Sequence, residues 1–293
     1  MASFHRRFRI IALVLLASTL SPLVAADIRV TDDDANVITL SQPAQRVVSL
    51  VPHATELMFE VGAGHLVVGA AEYSNYPEAA KAIPRVGDYF ALNLEAILAL
   101  QPDLILAWHS SNVSTQLETL AQLNIPIFYT DPQNLEMIAS TQRNFGILTG
   151  RTEQGEAVAQ GFLDAMTDLQ TEYGERERLR VFYQVWHDPI FTISNRNFIG
   201  ELITLCGGEN LFGEAPMLAP QVGRESVVAG NPHVILGGGS DGTGLEIWQS
   251  TQEMSAVASG HLYNLNSDTI ARPTSSLVTG ARLLCEAIDQ ARQ

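Results

Sequence analysis

His53, His109 and His187 each follow a stretch that reads as a buried β-strand, and large rings stand close by: Tyr73 and Tyr76, Trp108, Trp186 and Phe191. Neutral imidazole is a good ligand for cobalt or iron, so any of the three histidines could touch a metal; a pocket that works by shape needs none. Aromatic residues make up only 7% of the chain, so their gathering after strands is informative. Planar rings lining a cleft suit a flat, mostly apolar ligand with polar groups on its edge. In open parallel sheets such ligands sit outside the carboxyl ends of the strands, which is where these residues fall.

Catalysis has no comparable support. The chain holds no Gly-x-Ser-x-Gly elbow, no P-loop and no His-Glu-x-x-His pair, so no enzyme and no catalytic cofactor are expected. Gly237-Gly238-Gly239-Ser240-Asp241-Gly242 fits the dinucleotide fingerprint, but in the last quarter of the chain, far from the first strand-to-helix turn where such a loop acts. It reads as a flexible loop at the mouth of a cleft. A secreted nucleotide-dependent oxidoreductase is the remote alternative.

The elements that must position these residues come in a repeat. Asn93-Leu94-Glu95 through Pro102-Asp103-Leu104-Ile105-Leu106 is matched by Gly223-Arg224-Glu225 through Pro232-His233-Val234-Ile235-Leu236. Each copy has Glu seven residues before Pro, which predicts a short helix broken at the residue before Pro and followed by a buried strand. Upstream, Arg46-Val47-Val48 leads to Thr55-Glu56-Leu57 as Arg180-Val181-Phe182 leads to Gly200-Glu201-Leu202, again strand then helix. Two related α/β lobes with mostly parallel sheets follow. The first, 27–150, opens with a hairpin around Asp32-Asp33-Asp34 and continues with strands over 47–51, 66–69, 104–107 and 127–129, and helices over 55–60 and 114–123. Apolar residues at helical spacing predict one long helix over 152–173, inside a linking segment 151–178 without Pro/Gly/Ser character, so the junction should be stiff. The second lobe, 179–293, closes with a helix over 277–290.

Before the first lobe, Arg6, Arg7 and Arg9 precede an apolar run from Ile10 to Leu20 and small residues at Val24-Ala25-Ala26, the pattern of an export signal over 1–26 cut after Ala26. No cysteine near that point offers a lipid anchor. Loss of the three arginines takes the formal net charge from −15 to −18, which repels phosphate backbones and argues against nucleic acid as a partner. Cys206 and Cys285, an even pair in an exported chain, are expected to form a disulfide, worth roughly 4 to 5 kcal/mol by loop closure.

Arg46-Val47-Val48-Ser49-Leu50 with Thr55-Glu56-Leu57 and Gly62, then Tyr76-Pro77, then Asn93-Leu94-Glu95 with Pro102-Asp103-Leu104-Ile105, resembles the periplasmic binding proteins that feed ABC importers of cobalamin, haem and ferric siderophores. That family has two α/β lobes joined by one long helix, with the ligand between them. Tyr73-Ser74-Asn75-Tyr76-Pro77, Leu106-Ala107-Trp108, Pro189 with Phe191-Thr192, Cys206-Gly207-Gly208-Glu209-Asn210, Pro220-Gln221-Val222 before Arg224-Glu225, and Cys285 are most similar to its cobalamin-binding branch. Where that branch sets Trp residues on the corrin, this chain has Tyr89, Ala219, and Thr269 after Asp268. Haem binders of the family carry a Tyr near position 89, so haem is the alternative ligand to cobalamin or a related corrinoid. The resemblance implies a monomeric periplasmic receptor whose ligand contacts are Tyr73, Tyr89, Trp108, His109, Trp186, His187, Phe191 and Asp268. It also implies that Glu95 and Glu225 dock on the two permease subunits of an inner-membrane ABC importer.

Overall fold

The computed structural model describes residues 27–108, 113–237 and 244–293. The export signal, His109 and most of the Gly237 loop lie outside them.

An antiparallel hairpin, β1 (Ile28–Thr31) and β2 (Val37–Leu40), precedes β3 (Val47–Ser49), α1 (Pro52–Glu60), β4 (Val67–Ala70), α2 (Leu94–Ala99), β5 (Leu104–Ala107), α3 (Ser114–Gln122) and β6 (Ile127–Tyr129). The four strands after the hairpin form one parallel sheet in the order β4-β3-β5-β6. Both faces are covered, so its strands are mostly apolar rather than alternating, with Ser49 a buried polar exception. Val47, Leu104, Leu106 and Phe128 pack with α1 on one side; Val48, Ile105 and Ile127 pack with α2 and α3 on the other.

Two antiparallel helices follow, α4 (Leu135–Leu148) and α5 (Thr152–Tyr173). The long helix occupies the predicted residues, and at 1.5 Å per residue its 22 residues reach ~33 Å. It is not alone. Leu135, Ile138 and Ala139 of α4 join the core of the second lobe, whereas Phe145 and Leu148 join that of the first. The two helices touch backbone to backbone: a Cβ on Gly155 would lie 2.8 Å from Gln142 O and 2.9 Å from Gly146 Cα. The lobes are therefore joined through α5 and braced by α4.

The second lobe runs β7 (Leu179–Gln184), a hairpin of β8 (Trp186–His187) and β9 (Ile190–Phe191), α6 (Phe198–Leu205), β10 (Gly208–Asn210), α7 (Arg224–Gly230), β11 (Val234–Gly237), α8 (Ser255–Ala258), β12 (Leu262–Asn264), α9 (Ser267–Ile270) and α10 (Leu277–Gln290). Its parallel sheet has the order β10-β7-β11-β12. With the inserted hairpin set aside, that order matches the first lobe strand for strand. The Cys206–Cys285 disulfide ties the end of α6 to α10 inside the core.

Across the junction, Glu56 and Glu60 of α1 meet the segment before α10. Glu56, 2% exposed, accepts from Thr274 Oγ1 at 2.7 Å and lies 3.7 Å from the Arg272 guanidinium. Glu60 accepts from Ser275 N at 2.9 Å and Ser275 Oγ at 2.8 Å; burial raises its pKa and these bonds hold it down. Glu201, at Glu56's place in the repeat, likewise reaches out of its own helix to accept from Leu135 N at the start of α4, at 2.9 Å.

Candidate functional site

In each sheet the chain leaves the first strand to one side and returns to the other, so a crevice opens at the carboxyl ends of β3 and β5 and of β7 and β11. A cavity of about 170 Å³ occupies the first crevice, floored by Leu50, Val51 and Pro52 after β3 and by Ala107 and Trp108 at the end of β5. Tyr73 and Tyr89 wall it. The Tyr89 and Trp108 rings lie 5.9 Å apart and tilted by 35°. Trp108 Nε1 is buried with no hydrogen-bond partner among the described residues.

Local chemistry explains why these rings project. Asp88 Oδ1 accepts from Phe90 N at 2.8 Å and Ala91 N at 2.9 Å, an Asx-type turn that thrusts Tyr89 and Phe90 outward. Tyr73 is 73% exposed at φ 65°, a left-handed conformation that costs of order 1 kcal/mol in a residue with a Cβ. Its neighbour Ser74 is anchored below, taking bonds from Thr55 Oγ1 at 3.2 Å and, on its carbonyl, from Arg85 Nη2 at 2.9 Å.

A second cavity, about 730 Å³, opens between the lobes and shares Tyr73 with the first. Asn75, Tyr76 and Glu56 line it from one lobe, Asp268, Thr269 and Arg272 from the other. Asp268 accepts from Arg272 Nη2 at 2.8 Å, so a carboxylate and a guanidinium are presented as a pair. The two cavities together offer an aromatic wall with a polar, mixed-charge margin, suited to a large ring system that carries hydrogen-bonding groups at its edge.

Trp186, His187 and Phe191 sit on the β8–β9 hairpin at the carboxyl end of β7, with Trp186 paired across the hairpin with Phe191 and stacked on His187 at 5.2 Å. They line neither of these two cavities. Trp186 is 56% exposed and its Nε1 donates to Asp188 O at 2.9 Å, which fixes the indole as an outward plate. His53 is bonded through Nε2 to Thr130 Oγ1 at 3.2 Å; burial, with the nearby Arg272 charge adding, lowers its pKa to about 4 and keeps the ring neutral. Among the described residues no three His, Cys, Asp or Glu side chains form a metal cluster.

Glu56, Asp88 and Arg272 also line the two cavities, and the sequence names none of them as a ligand contact. Arg272, four residues after Asp268, carries the clearest signal: i,i+4 spacing places the two side chains on one face of a turn. Glu95 and Glu225 line neither cavity; both are exposed in the first turns of α2 and α7, and among the described residues neither has an ion-pair partner.

Residues 47–269 match the sequence model of a family described as periplasmic binding protein. The vitamin B12-binding protein of Vibrio campbellii is 36% identical over 255 residues, covering 86% of this chain and 92% of that protein. That of Yersinia pestis is also 36% identical over 255 residues, with 86% and 89% covered. Among solved structures, the periplasmic vitamin B12-binding protein BtuF of Vibrio cholerae superposes with a TM-score of 0.76 at 34% identity, over 86% of this chain and 99% of that one. The periplasmic haem-binding protein RhuT of Roseiflexus superposes with a TM-score of 0.72 at 23% identity, a likeness of fold alone, over 85% of this chain and 100% of that one.

Proposed function

Because this chain belongs to the periplasmic binding protein family, we propose that it captures a corrinoid, cobalamin or a relative, between its lobes and hands it to an ABC importer in the inner membrane. It is a binding protein, not an enzyme, and its partner is a membrane permease. The observation that carries the ligand class is the continuity of the Tyr89–Trp108 wall with the polar margin of Asp268 and Arg272 through Tyr73. A corrin ring is a near-planar apolar body fringed with amides, which such a wall and margin suit; the relatives named for vitamin B12 support the same class. Trp186, His187 and Phe191, on the β8–β9 hairpin, are the contacts that the second lobe would add to the ring. Contact of His53, His109 or His187 with the metal belongs to the same proposal; of these, His53 spends Nε2 on Thr130 Oγ1, which leaves it Nδ1 alone for such a contact.

Haem is the second reading, favoured by the half-exposed phenol of Tyr89. Export with cleavage after Ala26, a monomeric state, and lobes bounded at 27–150 and 179–293 around a linking segment 151–178 belong to the same proposal. So does docking through Glu95 and Glu225, one helix per lobe.

Visible-spectrum titration with hydroxocobalamin and with haemin tests the ligand class: saturable binding of the corrinoid is expected, and haemin alone binding would overturn it. Trp108→Ala should weaken binding by about 2 to 4 kcal/mol without unfolding the protein. Unchanged affinity with a large loss of thermal stability would assign Trp108 to the core instead.

A further inference from the structure

Helices α2 and α7 have only 6 and 7 residues, and each buries completely just one side chain, Ile97 or Val227. Helices that short do not hold an orientation by themselves. Their last carbonyls also lack partners within the helix. In both lobes an arginine at the start of the first strand supplies the donor. Arg46 Nε donates to Leu100 O at 2.7 Å; Arg180 Nε donates to Gly230 O at 3.0 Å, and Nη2 to Asn231 O at 2.8 Å. Leu100 and Gly230 are the same position of the repeat, five residues after Glu95 and Glu225. The residue after each is left-handed, Gln101 at φ 49° and Asn231 at φ 43°, and Pro follows.

Each arginine is in turn fixed through its backbone. Asp103 N donates to Arg46 O at 3.0 Å while Arg46 N donates to Asp103 Oδ1 at 2.9 Å. In the second lobe His233 N donates to Arg180 O at 2.8 Å while Arg180 N donates to His233 Nδ1 at 2.9 Å. The carboxylate and the imidazole serve the same end, since each accepts the arginine's amide and so holds the strand start against the helix end. A cation at a helix C-terminus also complements the helix dipole.

We propose that Arg46 with Asp103, and Arg180 with His233, are positioning pairs that set the two glutamate-bearing helices at a fixed attitude for the importer. This rests on the docking role given above to Glu95 and Glu225. The same atoms recur in both lobes although the surroundings differ. What the clamp adds is a fixed relation between each glutamate and the first strand of its sheet. Two permease subunits related by symmetry need two anchors whose separation and direction do not wander.

The test measures binding of the ligand-loaded protein to its source organism's own cobalamin importer in lipid nanodiscs, with cobalamin affinity and thermal stability read in parallel. Arg180→Met should weaken docking roughly tenfold and leave cobalamin affinity unchanged. Added to Glu225→Arg, it should cost nothing further, because the two act through one contact. His233→Ala, which leaves the guanidinium in place, should also weaken docking, and His233→Asp should restore it by supplying the first lobe's acceptor. If Glu225→Arg abolishes docking while folded Arg180→Met and His233→Ala dock normally, positioning is overturned and the docking face stands. Should Arg180→Met fail to fold, His233→Ala decides alone. Normal docking by Glu225→Arg would remove the docking face itself, and this inference with it.

Discussion

Helices α2 and α7 are held alike at their carboxyl ends and differently at their amino ends. Asn93 caps α2, accepting from Ala96 N at 3.0 Å, and Gln116 brackets the preceding residue with bonds to Leu92 N at 3.0 Å and Leu92 O at 2.9 Å. Helix α7 starts at Gly223 with no side-chain cap; instead Arg224 reaches sideways to Thr251 Oγ1 at 2.6 Å and lies 5.3 Å from the centre of the Trp248 ring. A helix N-terminus can be anchored by many local devices, so each lobe uses its own. The carboxyl end points back to the strand that founds the sheet, and there only one arrangement recurs. The difference teaches which contacts belong to the shared architecture and which to one lobe.

The largest expected effect concerns what both helices present. If Glu95 and Glu225 meet basic groups on two equivalent permease subunits, reversing either charge leaves one subunit facing repulsion while the other still attracts. Glu95→Arg and Glu225→Arg should each abolish uptake of labelled cobalamin, with ligand affinity and folding nearly unchanged. Normal transport by the double reversal would end the docking role and reduce both carboxylates to complements of their helix dipoles, worth about 0.3 to 1 kcal/mol each.

Both helices can act together only if the lobes keep a constant separation, which the α4–α5 brace imposes. Gly155 and the facing Gly146 are equally tight, and a Cβ added to Gly155 would lie 2.8 Å from Gln142 O. Backbone, unlike a flexible side chain, has little room to give. Gly155→Val should therefore destabilise the protein by about 2 kcal/mol, read as a lower denaturant midpoint at constant slope. A variant as stable as the parent would show that the helices part easily and that the lobes are less firmly braced.

Much of this frame is legible in the sequence, for reasons that specific elements make clear. Helices α5 and α10 occupy the predicted residues because each is long enough for a single apolar stripe to define it. Helix α4 escapes such a reading because it lies between two cores, with Leu135 and Ile138 in one and Phe145 in the other, and Thr141 and Gln142 buried between. A helix apolar on more than one side leaves no clean period. The strand expected over 66–69 starts one residue later, since a 3₁₀ turn over Gly64–Leu66 claims its first residue. Of the candidate site, Tyr73, Tyr89 and Trp108 line one cavity, and Tyr73 and Asp268 line the inter-lobe one. The burial of Glu56 could not be read, because the Thr274 that satisfies it is 218 residues away.

The smallest effect, and the one that most sharpens the comparison, follows from Asp103 and His233 filling the same role with different chemistry. A carboxyl group keeps an acceptor oxygen whether or not it is protonated; an imidazole nitrogen that accepts a hydrogen bond ceases to do so once it gains a proton. Burial first, and then the Arg180 charge, lower the His233 pKa, while Glu177 and Glu209 oppose that shift. The folded state therefore holds fewer protons here than the unfolded chain. The contribution of this bond is present above the ordinary histidine pKa of about 6.5 and is lost as pH falls through the lowered value. His53 shifts the same way, to about 4, so global stability would mix the two groups. Local hydrogen exchange separates them. Between pH 7.5 and 5.5, after correction for intrinsic rates, amides of Ser226–Gly230 should lose protection relative to those of Ala96–Leu100, and His233→Asp should abolish the difference. Equal behaviour of the two helices in the parent protein would mean that the His233 acceptor contributes nothing to the seat of α7, leaving Arg180 to hold it through its guanidinium alone.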